Sequence, residues 1–138
     1  MQKTIVYFCL LLIVSSCDKE LGPAEIKHLN GYWEIDHVVF PSGENKEYKI
    51  NETIDHFQMS GNSGVRKKLK PQFDGKYLEN GQFEKVLVKD GKQPFLEYKT
   101  DFAIWREEIV GLSKEELVLK NQNGIEYHYR RPIPFSIK

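Results

Sequence analysis

Four histidines, His28, His37, His56 and His128, are the side chains in this sequence best suited to metal or proton chemistry. His37, His56 and His128 fall on segments that could become neighbouring strands, where three imidazoles would make a metal site. Strand alternation argues against it. His37 shares parity with Trp33, whereas His128 alternates with Tyr127 and Tyr129 and points the other way. The histidines therefore read as solvated or singly hydrogen-bonded groups, with His37 as an interior polar group. Glu107-Glu108 and Glu115-Glu116 offer paired carboxylates, but adjacent strand residues face opposite sides, so neither is an acid/base pair. Ser63 stands between glycines in Gly61-Asn62-Ser63-Gly64, yet at turn spacing and with no strand-to-helix step after it, so it is no nucleophile elbow. No phosphate-cradling glycine loop, His-Glu-x-x-His pair or acidic calcium loop occurs. The expectation is a protein that is not an enzyme, with no catalytic residue, metal site or cofactor.

The two cysteines, Cys9 and Cys17, belong to the N-terminal segment. Lys3 precedes the apolar run Ile5 to Val14, and the small residues Ser15 and Ser16 follow it. A charged start, a short apolar stretch and small residues make a secretory signal. The run is too short for a bilayer span, which takes about 20 helical residues. Val14-Ser15-Ser16-Cys17 resembles the lipobox of bacterial lipoproteins. That resemblance implies cleavage before Cys17, which then carries a diacylglyceryl thioether and an N-acyl chain such as palmitate. Two or more chains hold a protein stably on a membrane where one does not. Asp18, Lys19 and Glu20 resemble the surface-export signal of Bacteroidetes lipoproteins, whereas in enterobacteria an Asp at that place favours retention in the inner membrane. The expected location is the bacterial cell envelope, with the body anchored to the outer membrane through Cys17 on its periplasmic face or at the cell surface. Residues 1–16 are then signal peptide, 17–23 lipidated cysteine and tether, and 24–138 one domain.

That domain holds no thiol, so packing alone must stabilise it, without a disulfide or a cysteine-ligated metal. The chain balances 20 basic against 20 acidic residues, which gives no footprint for nucleic acid. Its densest charge cluster, Arg66-Lys67-Lys68, reads as a solvated strand or loop. The 8 Phe, 7 Tyr and 2 Trp suit a β-rich core.

Short strands separated by turn residues are the dominant pattern. Pro23 can open a short helix over Ala24 to Leu29, ended by Asn30-Gly31. From Gly31 to Phe40, Trp33, Ile35 and Val39 share one face and Glu34 and Asp36 the other. Further strands are expected over Glu52–Ser60, Val65–Leu69, Gln82–Lys89, Pro94–Thr100, Phe102–Val110, Glu115–Asn121 and Ile125–Arg131. The turns between them include Gly61-Asn62-Ser63-Gly64, whose glycines are expected to supply positive φ, and Asp90-Gly91 and Asn123-Gly124. About eight strands at this spacing predict an all-β antiparallel sandwich or barrel. The apolar, Pro-broken tail after Pro132 is expected to cover an edge.

At this point the sequence resembles the lipocalin-like domains of bacterial lipoproteins of Bacteroidetes type. Gly31-Tyr32-Trp33 resembles the Gly-x-Trp that opens the first lipocalin strand after a short helix. Leu112-Ser113 through Glu116-Leu117-Val118-Leu119 resembles a turn-and-strand segment of these domains, and Tyr127-His128-Tyr129-Arg130-Arg131 their closing strand. The resemblance implies an up-and-down barrel of about eight strands with a short N-terminal helix, its floor built from Gly31, Trp33 and Arg131. Arg131 shares the face of Tyr127 and Tyr129, so it, rather than Arg130, is expected to lie across the indole, a contact worth about 0.5–2 kcal/mol.

Two functions are open. In the first, the barrel carries a small apolar ligand lined by residues among Ile35, Val39, Phe57, Trp105, Leu117, Leu119, Tyr127 and Tyr129. In the second, the barrel is filled and the outer surface binds an envelope protein as an assembly or inhibitor module, with contacts on Pro41–Lys49 and the turn at Gly61.

Overall fold

The computed structural model describes residues 21–133. The signal segment, Cys17, most of the tether and the tail beyond Ile133 lie outside the described residues. A short helix α1 (Pro23–Ile26), with Pro at its first turn and Glu25 accepting from the Gly22 amide, runs into one 3-10 turn, Lys27–Leu29. Ten strands follow: β1 (Gly31–Val39), β2 (Asn45–Glu47), β3 (Ile54–Ser60), β4 (Ser63–Pro71), β5 (Tyr77–Glu79), β6 (Glu84–Lys89), β7 (Phe95–Lys99), β8 (Ile104–Leu112), β9 (Glu116–Lys120) and β10 (Glu126–Arg130). All pair antiparallel, in the order β10-β9-β8-β7-β6-β4-β3-β1-β2, with β5 on β4.

A direct ladder between β1 and β10 closes the sheet, so eight strands form a barrel and β2 and β5 are short additions. Closure leaves no free edge along the ring, which is how an antiparallel sheet escapes strand-edge association. The additions occur where two long strands change partner. β4 pairs with β6 over Ser63–Arg66 and with β5 over Leu69–Pro71. β1 pairs with β3 over Gly31–Trp33 and with β2 over His37–Val39.

The core fills the interior of the ring and extends to the helix. Trp33, Phe57, Val86, Leu96, Tyr98, Leu117 and Leu119 are at most 1% exposed, and Ile26 and Leu29 seal them from outside the ring. Two bulges set which residues join them. One at Asp36 shifts β1 against β10, so that Ile35 faces Tyr129, but Val38 rather than Val39 faces Tyr127. The other, at Val110, lets Ile109 and then Leu112 face β9. The tight β3–β4 turn uses its glycines differently from each other. Gly61 has φ 61°, whereas Gly64 has an ordinary φ and is required by space, because a Cβ there would clash with the Gln58 carbonyl.

Candidate functional site

The two ends of the barrel differ in chemistry. At the helix end the ring is shut. Trp33 is fully buried and donates its indole N–H to the Leu29 carbonyl at 2.9 Å. The Arg131 guanidinium lies 3.6 Å from the Trp33 ring centroid. Its nitrogens donate to the carbonyls of His28 (2.8 Å), Lys114 (2.9 Å), Asn30 (3.1 Å) and Tyr32 (3.2 Å). Gly31, at φ 107°, makes room, since a Cβ would stand 3.2 Å from Arg131 Nη1. Partial burial lowers the Arg131 pKa below its usual value, with Glu115 opposing the shift. Arg130 points outward instead, to Glu34 at 3.0 Å and Asp36 at 2.7 Å.

Midway up the barrel the interior turns polar. Arg66 is 6% exposed and donates to Glu84 at 2.5 Å and weakly to Glu107 at 3.4 Å. Its guanidinium packs 4.0 Å from the Tyr98 ring centroid. Burial alone would lower the Arg66 pKa, but Tyr98, Asp55 and Glu84 more than reverse that, and the net shift is upward. Asp55, also buried, binds Lys68 at 2.5 Å. Register explains the grouping, because Phe57 faces Arg66 and Asp55 faces Lys68 across β3–β4, while Arg66 faces Glu84 across β4–β6.

Where β4 leaves β6, a cleft of about 530 Å³ opens at the rim opposite the helix. Arg66, Lys68 and Glu84 form its base, the connection from Asn80 to Phe83 one wall, and Lys99 to Phe102 the other, with Lys85 beside them. Phe83 is 52% and Phe102 97% exposed. A second hollow of similar volume, near Gly31, has no lysine or arginine on its walls among the described residues.

The residues expected to line a ligand cavity are distributed otherwise. Phe57, Leu117, Leu119 and Tyr129 are packed core. Ile35, Trp105 and Tyr127 are half-buried against that core, with Trp105 stacked on Tyr98 at 5.4 Å. Val39 is corrected by the Asp36 bulge, which turns it to the outer face and gives its inward place to Val38. None of the eight is on the walls of the rim cleft. The same bulge corrects His37, which stacks on His128 outside the barrel at 4.2 Å and contacts Asp36 at 2.8 Å. His56 stacks on Tyr32, and burial, then Lys67, lowers its pKa. Among the described residues no group of three His, Cys, Asp or Glu could hold a metal ion. The cleft residues were missed because their signal is a change of strand partner, which no local pattern in β4 announces.

No protein-family model matches the chain, and no curated protein matches it either. Among solved structures it is similar to a lipocalin-like protein from Bacteroides uniformis, at 13% identity and TM-score 0.49 over 76% of this chain and 99% of that one. An uncharacterized protein from Bacteroides eggerthii gives 12% identity and TM-score 0.50 over 75% and 99%. Lobster apocrustacyanin A1 gives 14% identity and TM-score 0.47 over 80% and 64%. Likeness at these identities concerns the fold. The closed eight-stranded ring, the helix leading into it and the floor tryptophan under an arginine define a lipocalin-like barrel.

Proposed function

We propose that this protein is a non-enzymatic, lipid-anchored lipoprotein of the bacterial envelope whose barrel binds a small ligand at its open end. The observation that carries the binding role is the asymmetry of the barrel. Its floor is sealed by Trp33 and Arg131, and a cleft within the usual size range of small-molecule sites, about 300–1,000 Å³, opens at the far rim. The anchoring rests on Val14-Ser15-Ser16-Cys17 behind the apolar run. Helix α1 begins six residues after Cys17 and packs at the floor, so a tether at Cys17 joins the body at the end opposite the cleft.

Native mass spectrometry of the protein purified from its own host tests binding, and a retained small molecule is expected. Metabolic labelling with tritiated palmitate tests the anchor, with label expected on the wild type and lost in Cys17→Ala. A protein that carries neither molecule nor label contradicts the proposal.

A second reading, binding of an envelope protein partner, is favoured by the apolar side chains exposed at the rim, Ile50 (76%) and Phe73 (84%) on connections and Leu78 (58%) on β5. Pro41–Lys49 lies at that rim and the Gly61 turn at the floor end, so this reading draws on the rim loop.

A further inference from the structure

Lys85 on β6 and Lys99 on β7 are direct cross-strand partners. Both are exposed and both line the rim cleft. Like charges placed directly opposite on an antiparallel ladder repel, and a β-sheet gains nothing from them by itself. Of the carboxylates nearby, Glu97, on the same face of β7 as Lys99, is the direct cross-strand partner of Arg106 on β8. Glu84 is bound to Arg66, and Asp55, deeper in, to Lys68. Asp101 is the one other carboxylate on the cleft walls among the described residues, so two lysines face one acid. Immediately along the chain from this pair stand the two exposed aromatics, Phe83 two residues before Lys85 and Phe102 three residues after Lys99. A cationic pair and two apolar rings thus share one concave surface. Both features are costly in an unliganded protein, and one kind of molecule removes both costs.

We propose that the cleft takes an amphipathic organic acid, its anionic head between Lys85 and Lys99 and its apolar body against Phe83 and Phe102. This rests on the reading that the open end binds a small ligand, and it names the class. It places the ligand to the side of the ring, over the gap between β4 and β6, and not in the filled interior around Leu117 and Leu119. Arg66 does not serve as the head-group partner, because Glu84 and Glu107 already occupy it. Since the lysines are solvated, their attraction for the head is moderate and falls with salt.

Two fluorescent probes with similar aromatic bodies separate the head from the body: 8-anilinonaphthalene-1-sulfonate, an anion, and N-phenyl-1-naphthylamine, which is neutral. The anion is expected to bind the purified protein about three- to tenfold more tightly at low salt, to lose that advantage in 0.5 M salt, and to be displaced by a medium-chain fatty acid. The double variant Lys85→Gln/Lys99→Gln should weaken the anion about three- to tenfold, the product of two screened charge contacts, and leave the neutral probe unchanged. Phe102→Ser should weaken both. Equal affinity for the two probes, with neither altered by the lysine substitutions, overturns this inference and leaves the ligand-binding reading standing. Binding of neither probe also overturns it, and whether the protein carries a ligand at all is then decided by the mass spectrum of host-purified protein.

Discussion

Arg131 is a positioning residue for the whole floor. Its guanidinium bonds to four carbonyls from three segments of chain, the turn before β1, β1 itself and the β8–β9 connection, while its plane covers Trp33. A planar fork can do this and an ammonium cannot. Arg131→Met should therefore cost about 2–3 kcal/mol, combining the cation–π contact with charge-assisted hydrogen bonds that remain partly open to water. Arg131→Lys should recover less than half of that. Urea denaturation followed by Trp fluorescence checks both, and wild-type stability in the Met variant would show that the floor is held by Trp33 packing alone. Parity read from the sequence assigned this residue to the inner face and Arg130 to the outer, which is where each lies, because β10 runs its full length without a bulge.

At the scale of elements, the cross-strand lysine pair offers a second measurement. Lys99→Glu turns repulsion across β6–β7 into attraction, and an exposed pair of this kind is worth about 0.2–1 kcal/mol. The variant should be slightly more stable than wild type in urea while losing affinity for anions, a trade of stability for binding. A destabilised variant would show that Lys99 already has a favourable partner. Elements were legible where one rule governs a whole strand. The β9–β10 hairpin follows period-two alternation around Asn123-Gly124 throughout, and its inward residues Leu117, Leu119 and Tyr129 could be picked out in advance. Legibility failed at the bulge. One extra residue at Asp36 inverts every later side chain of β1, so His37 and Val39 leave the interior and Val38 enters it. It failed again at β2 and β5, three-residue strands with all residues exposed, which carry no apolar alternation to detect. The cleft depends on one of these short strands, since β5 draws β4 away from β6, and so it too could not be read locally.

For the molecule as a whole, the interior joins a dry floor to a charged middle layer, and that layer governs its response to pH. Tyr98 lies under Arg66, fully buried, its hydroxyl beside Glu107 but without a well-aligned hydrogen bond among the described residues. Burial pushes its pKa well above 10, against the opposing pull of Arg66, and burial followed by Asp55 does the same for Tyr129. An acid whose pKa is raised on folding binds its proton more tightly in the folded chain. Its contribution to stability is thus complete below the unfolded value near 10 and declines as pH rises above it, because the unfolded chain ionises first. His56 acts at the other side. Burial lowers its pKa below 6.5, so its contribution is complete above that value and declines as pH falls through the lowered one. Stability should accordingly be flat across neutral pH and fall steeply above about pH 10, and the alkaline limb should flatten in Tyr98→Phe, which keeps the ring under Arg66 and removes the ionisable hydroxyl. Urea midpoints from pH 5 to 11.5, with tyrosinate absorbance recorded in parallel, check this. If Tyr98 and Tyr129 titrate near 10 in the folded protein, the middle layer is open to water and the filled interior is excluded.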